Sequence, residues 1–415
     1  MSQRGCDIGL IGLGTMGRNF VLNMADHGFA VAVYNRTADK TRDFMENEVG
    51  ARPIQAGYDL PEFIGLLRRP RALILLVAAG EPVDAVLREL WPLLAAGDLV
   101  IDGGNSHFTD TNRRGRFLSG KQLNFMGMGV SGGEGGARFG PSLMAGGSRE
   151  SYDRVSPMLE AVAARVQGEP CVAYLGPRSA GHYVKMVHNG IEYGLMELIV
   201  ETYDLFKRGL GLTPAELAPI YERWNREELN SFLVEITAKI FTRQDDRTGR
   251  PLIDLILDKA KQKGTGMWTS WDAMDLEVGT PTIDAAVVMR EMSGYKEERR
   301  IASQVLAGPS PTFTGDREGV IGRVKNALYA SMIATYAQGL ALLRRASATY
   351  GYDLDLEAVA RIWRGGCIIR AALLEDIRSA YKTDAKLPNL LMDLNHGTLR
   401  VVHSLVKEKV WVAEH

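Results

Sequence analysis

Apolar residues fall into two rhythms along this chain. Through roughly the first 175 residues, short β-rich runs alternate with stretches whose apolar positions recur every three or four residues. The runs are DIGLIGL, AVAVYN, ALILLVA, LVIDGG and NFMGMGV. Such alternation predicts a parallel sheet with helices on both faces. Near Gly176-Pro177 the texture changes, and from Ser179 onward long helical patterns dominate while strand signals nearly vanish. The expected organisation is an α/β domain over residues 1–177 and a mostly α-helical domain over residues 178–415.

The helical part repeats itself weakly but in order. Val184-Lys185 matches Val324-Lys325, and each opens a long apolar-periodic helix. IYERWN (Ile220 to Asn225) then finds a counterpart in IWRGGC (Ile362 to Cys367), and SFLVEI (Ser231 to Ile236) in LLEDI (Leu373 to Ile377). A duplicated helical unit is expected. It contains an internal control. The stretch KMVHNGIEY places Lys185, His188, Asn189, Glu192 and Tyr193 on one helix face. The second copy has Leu328, Tyr329, Met332 and Ile333 where the first has the last four. Packing alone therefore does not demand the polar stripe.

Composition narrows the function classes. A chain of 415 residues exceeds one ordinary core. Its net charge of −1 supplies no general attraction to nucleic acid or anionic lipid, so no partner of either kind is expected. Cys6, Cys171 and Cys367 are odd in number and far apart. They form neither a disulfide framework nor a metal-ligand spacing, and they suit the cytoplasm. No metal is expected. The N-terminus has no signal-peptide core, and the longest apolar run, ALILLVAA, is far short of a membrane span.

Candidate chemistry begins at GLIGLGTMGRNF, where Gly12-x-Gly14-x-x-Gly17 follows a strand and opens a helix. In that context it is a dinucleotide signature, and the first domain reads as Rossmann-like. The helix N-terminus offers free N–H groups to phosphates. The second strand ends in Asn35, Arg36 and Thr37. No carboxylate stands there to hold a ribose 2′-hydroxyl, and a guanidinium there suits a 2′-phosphate, which favours NADP over NAD.

Two further loops lie at strand ends. Asn105 follows IDGG, and Ser131, Gly132 and Gly133 follow the next strand with a hydroxyl and N–H groups suited to a carboxylate. Either loop alone could be a turn; together they suggest a small anionic substrate beside a nicotinamide. Oxidation of an alcohol by hydride transfer needs a base. Lys185 serves if burial lowers its pKa, and Glu192 offers a second proton carrier two turns on. Taken alone, Lys185 reads equally as a surface lysine. Lys263 and Thr265 sit in a glycine-flanked turn suited to phosphate. Arg290 is another anion ligand candidate, although an isolated arginine is commonly solvated or salt-bridged.

These motifs resemble the 6-phosphogluconate dehydrogenase family. The matches are GLGTMGRN, YNRT, IDGGNS, GVSGGEGGARFGPSLMAGG, GHYVKMVHNGIEYG, ELNSFLVEIT, KGTGMWT and WRGGCIIR. The resemblance implies NADP-linked oxidative decarboxylation of 6-phosphogluconate to ribulose 5-phosphate and CO2, in the pentose phosphate pathway, by a cytoplasmic homodimer. It implies that Lys185 deprotonates the C3 hydroxyl and later serves as acid, and that Glu192 protonates C1. Asn105, Ser131, Gly132, Gly133, His188 and Asn189 then hold the carboxylate and hydroxyls. Tyr193, Lys263, Thr265 and Arg290 take the phosphate. The cofactor falls to Gly12, Gly14, Thr15, Met16 and Gly17, to Asn35, Arg36 and Thr37 at its 2′-phosphate, and to Val77, Ala78, Ala79 and Asn105.

The chain departs from the family pattern at three places. Ala78 and Met267 stand where the family has lysines. The family also continues, near the position of His415, into a helix and a tail that carries an arginine and a histidine to the partner's substrate phosphate. No equivalent segment is recognised, and the spacing of Arg400 and His403 does not suggest that they substitute. The tail is therefore expected to be missing. Two other readings compete: a β-hydroxyacid dehydrogenase acting on a smaller, non-phosphorylated acid, and a truncated cofactor-binding chain with poor turnover.

Overall fold

The computed structural model describes residues 5–306, 308 and 313–393. Arg400 and His403 lie outside them. Contacts divide the chain into two compact units, one of Met1–Met186 with Ala346–Ile368 and one of Val187–Arg345 with Ile369–His415.

Among the described residues the first unit has ten strands: β1 (Ile8–Ile11), β2 (Val31–Tyr34), β3 (Ile54–Ala56), β4 (Ala72–Leu75), β5 (Leu99–Asp102), β6 (Asn124–Ser131), β7 (Ser142–Gly146), β8 (Arg165–Val166), β9 (Glu169–Pro170) and β10 (Val172–Tyr174). Eight of them form one sheet in the order β10-β7-β6-β5-β4-β1-β2-β3, while β8 and β9 pair separately. The central strands IGLI, ALIL and LVID are buried along their whole length, as strands covered on both faces must be. Their side chains sort by parity. Ile8, Leu10, Val31, Val33, Ile74 and Ile101 enter one apolar cluster, and Ile11, Ala32, Leu73, Leu75 and Val100 enter another. A period of two sends alternate residues to opposite faces, so the sheet carries a core on each side.

The five expected strands are present, and three more complete the sheet. The IQA of β3 and the VAY of β10 are three residues each, too short for periodicity to register. The SLMAG of β7 contains no β-branched or aromatic residue, the usual mark of a strand. It also corrects the expectation of a purely parallel sheet, because β7 runs antiparallel to β6, with Met128 opposite Ala145 and Val130 opposite Leu143. The later segment of this unit contributes the helix Leu356–Trp363. It is held to the sheet by Ser142 Oγ donating to the Ile362 carbonyl at 2.8 Å, and to the β8–β9 pair by Arg361 donating to the Pro170 carbonyl at 2.8 Å.

The second unit is helical. Along the chain, and counting Leu356–Trp363 of the first unit, a long helix followed by two shorter ones occurs twice: Ala180–Asp204, Pro214–Asn225 and Phe232–Thr242, then Arg317–Tyr350, Leu356–Trp363 and Leu373–Thr383. The third helices of the two sets start from a common antiparallel bridge at Ser231 and Ala371, flanked by Phe232 N–H to Arg370 O at 3.0 Å and Ala372 N–H to Asn230 O at 2.9 Å. Helices Thr265–Asp275, Pro281–Ser293 and Lys296–Val305 fall between the sets.

Candidate active site

The carboxyl ends of β1, β2, β4 and β5 lie along one edge of the sheet, and order reverses beside β1, between β4 and β2. Open α/β sheets take their ligands at such an edge and switch point. The glycines after β1 have separate duties. Gly12 sits at φ 109°, and a Cβ there would lie 2.4 Å from the Leu76 carbonyl oxygen; one at Gly17 would lie 1.8 Å from the Gly12 carbonyl oxygen. A Cβ at Gly14 would meet nothing within 4 Å. The tight turn and the helix approach thus forbid side chains, and the middle glycine faces open space at the N-terminus of helix Thr15–Asp26, where a pyrophosphate fits. Thr15 is exposed there, whereas Met16 packs back against the core.

Asn35 does a job the sequence does not reveal. Its Oδ1 accepts from Leu13 N–H at 3.0 Å and its Nδ2 donates to the Thr37 carbonyl at 3.1 Å, tying the glycine loop to the end of β2. Arg36 and Thr37 are exposed beside it, with Thr37 preceding helix Ala38–Asn47. After β4, Val77 touches the space over Gly12, and Ala78 and Ala79 are exposed. Asn105 is exposed in the loop after β5.

At the end of β6 the structure brings together Ser131 and Lys185. The lysine is 6% exposed, and its Nζ donates to Ser131 Oγ at 3.3 Å. Gly129 makes this approach possible, since a Cβ there would fall 2.4 Å from Lys185 Cβ. Gly132, at φ 108°, and Gly133 turn the chain from β6 into the helix Gly133–Phe139. The Gly366 carbonyl oxygen would lie 2.5 Å from a Cβ on Gly132. Three residues before Lys185, the buried His182 places Nδ1 2.7 Å from Thr111 Oγ1, and burial pushes its imidazole below the usual range.

The helix Ala180–Asp204 is continuous, with Lys185 in the first unit and His188, Asn189, Glu192 and Tyr193 in the second. His188 is fully buried, with Nδ1 3.0 Å from Asn189 Oδ1 and 3.9 Å from Glu192 Oε2. Asn189 Nδ2 donates to Thr265 Oγ1 at 2.9 Å. Thr265 opens helix Thr265–Asp275, and the two helices lie close because both carry glycines at the contact. A Cβ at Gly190 would lie 2.6 Å from Thr269 Cγ2, and one at Gly266 would lie 2.4 Å from the Tyr193 ring.

Arg290 is partly buried, and among the described residues its contacts are an aromatic ring and a backbone carbonyl and not a carboxylate. Its guanidinium stacks 3.9 Å above the Tyr193 ring and donates to the Lys261 carbonyl at 3.0 Å. Burial raises the Tyr193 hydroxyl above its ordinary pKa, and the Arg290 charge opposes this. Tyr193, Ala286 and Val287 form a small apolar cluster against which Met267 packs. Lys263 is exposed on the approach to Thr265. The counterpart residues of the second copy, Leu328, Tyr329, Met332 and Ile333, are all buried.

Sequence reading passed over a charged cluster beneath the cofactor edge, formed by Arg114, Asp84, Asp102 and Ser106. Arg113-Arg114 looks like a surface pair, and only the tertiary structure separates the exposed member from the buried one. Among the described residues, no group of three or more His, Cys, Asp or Glu side chains could hold a metal ion, and no helix is long and apolar enough to cross a membrane.

The family model for the C-terminal domain of 6-phosphogluconate dehydrogenase matches residues 181–408, and that for the NAD binding domain of the same enzyme matches residues 7–176. The decarboxylating 6-phosphogluconate dehydrogenase of Synechococcus elongatus is 54% identical over 92% of this chain and 82% of its own length. The NADP(+)-dependent decarboxylating enzyme of Bacillus subtilis is 50% identical over 93% and 82%. A solved structure of Plasmodium falciparum 6-phosphogluconate dehydrogenase, from work on that enzyme in apo form and with NADP+ and 6-phosphogluconate, superposes with a TM-score of 0.91. It is 41% identical and covers 98% of this chain and 90% of its own.

Proposed function

The chain belongs to the 6-phosphogluconate dehydrogenase family, and we propose that it catalyses the NADP-linked oxidative decarboxylation of 6-phosphogluconate to ribulose 5-phosphate and CO2. The observation that carries this reading is Lys185, a buried amine against Ser131 on a helix whose next two turns carry His188, Asn189, Glu192 and Tyr193. The glycine loop with its open middle position and the exposed Arg36 suit NADP.

Bound NADP supplies the hydride acceptor; everything else falls to the chain. Lys185, as the free amine, takes the proton of the C3 hydroxyl as the C3 hydrogen leaves with its electron pair. Its ammonium form then hydrogen-bonds the new C3 carbonyl oxygen. The C1–C2 bond breaks, its electron pair passes into the enediol, and Lys185 returns its proton to the oxygen on C3. Glu192 protonates the carbon that becomes C1 of the product while Lys185, again the free amine, takes the proton from the C3 oxygen and leaves the ketone. Ser131, Asn105, His188 and Asn189, with backbone at Gly132 and Gly133, hold the carboxylate and hydroxyls. Tyr193, Lys263, Thr265 and Arg290 hold the phosphate, with Arg290 already oriented by its stack on Tyr193.

The second unit exposes Trp271, Met274, Val288, Met292 and Tyr295, which suits burial in a homodimer. The three buried free cysteines suit the cytoplasm. The test of function is a panel of 6-phosphogluconate, gluconate and a short 3-hydroxy acid with NADP, following reduced cofactor and CO2 together. Turnover of the phosphorylated acid with equal release of both products is expected. Preference for a non-phosphorylated acid, or reduction without CO2, would overturn the assignment.

A further inference from the structure

The loops after β4 and β5 carry Val77, Ala78, Ala79 and Asn105. Beneath both lies Arg114, from helix Phe108–Ser119, only 1% exposed. All five of its guanidinium N–H groups have acceptors. Nε donates to Asp84 Oδ1 at 2.9 Å, and Nη2 to Asp84 Oδ2 at 3.1 Å and the Gly80 carbonyl at 2.9 Å. Nη1 donates to Ser106 Oγ at 2.9 Å and Asp102 Oδ2 at 3.3 Å. Asp102 extends the cluster, accepting from Ser106 Oγ at 2.7 Å and from Gly104 N–H at 3.1 Å. One side chain therefore fastens the end of the first loop and the length of the second.

A buried ion cluster is an inefficient way to gain stability, because apolar residues of the same volume commonly do as well. The unit already has an apolar cluster on each face of its sheet. The cluster instead sits where two ligand-bearing loops must be held in register. We propose that Arg114 is a positioning residue for hydride transfer, fixing the Val77–Ala79 segment relative to Asn105. This rests on the assignment of those residues to NADP and 6-phosphogluconate. Lysine cannot replace it, since an ammonium has three donors and no planar fork.

The test uses the full chain with three substitutions. Arg114→Lys keeps the charge, Ser106→Ala removes one acceptor of the fork, and Arg113→Ala removes the exposed neighbour that touches Asp84 from outside. NADPH titration counts intact sites, so a smaller folded fraction does not pass for slower turnover. In Arg114→Lys and Ser106→Ala, turnover per site falls by about 10- to 100-fold, the scale of a misplacement of about 1 Å. NADPH affinity changes by less than about threefold, because the adenosine end is held by the glycine loop and Arg36. Amide exchange in residues 76–80 and 103–107 of the NADPH complex rises about tenfold or more. Arg113→Ala leaves all three readouts near wild type.

A lowered melting temperature with unchanged loop exchange and unchanged turnover per site would overturn the proposal and leave Arg114 a structural residue. If Arg114→Lys does not fold, Ser106→Ala decides. If the unaltered chain does not oxidise 6-phosphogluconate, the functional assignment fails, and loop exchange alone still decides whether Arg114 holds the two loops.

Discussion

Gly129→Ala tests whether the position of Lys185, and not merely its presence, sets the rate. Gly129 lies within β6, paired with Met144, and the ideal methyl would sit 2.4 Å from Lys185 Cβ and 2.8 Å from its Cγ. Carbon atoms rest at about 3.5–4.0 Å, so strand and helix must part by roughly 1.2 Å or the lysine must swing aside. Overpacking of this kind costs about 1–3 kcal/mol. At about 2–4 °C per kcal/mol for a unit of this size, the melting temperature falls by several degrees and the protein stays folded. Nζ moves away from its 3.3 Å contact with Ser131, and a displacement near 1 Å costs up to about 10²-fold in rate. Cofactor affinity holds, since the glycine loop follows β1 and not β6. Stopped-flow formation of NADPH, normalised to sites counted by NADPH titration, gives the answer. A folded variant with turnover within about twofold of wild type would show that rates do not depend on this geometry at the scale argued.

Other substitutions separate the remaining roles. Lys185→Met should lower hydride transfer by about 10²–10⁴-fold with NADP binding nearly intact, and a near-normal rate would remove it from the mechanism. Arg36→Ala should erase most of an NADP over NAD preference of about ten- to a hundredfold, read from kcat/KM for each cofactor; equal use of NAD by the unaltered chain would defeat that reading of the β2 terminus. Glu192→Gln should slow exchange at C1 of ribulose 5-phosphate in D2O more than it weakens cofactor binding, and unchanged exchange would return Glu192 to a structural role.

What the sequence could disclose depended on the range of the interaction. The apolar runs of β1, β2, β4, β5 and β6 announce themselves because a buried strand needs only its own residues to look apolar. The spacing from Lys185 to Tyr193 announces a helix face for the same local reason. The antiparallel turn into β7 and the stacking of Arg290 on Tyr193 depend on partners far along the chain. The sequence offers Asn35 as a cofactor ligand but does not show that its side chain also ties the backbone at Leu13 to that at Thr37. Burial of Arg114 was invisible, because an arginine at that depth is tolerable only when several acceptors from other segments converge on it.

The two long helices have divided their labour. Lys325, the counterpart of Lys185, is clasped by Glu227 and by Glu228 at 2.9 Å, and the positions matching the polar stripe are filled by Leu328, Tyr329, Met332 and Ile333. On the proposed assignments, the helix of Lys325 is a beam and the helix of Lys185 a workbench. Substitutions that raise heat resistance are therefore best sought along the beam, where filling space and pairing charge are the whole task. Along the workbench the same changes would trade against chemistry. A designer seeking a new acid substrate has the reverse freedom: His188, Asn189 and Tyr193 can be recut around Glu192 while the buried face of the helix that carries Lys325 is left unchanged.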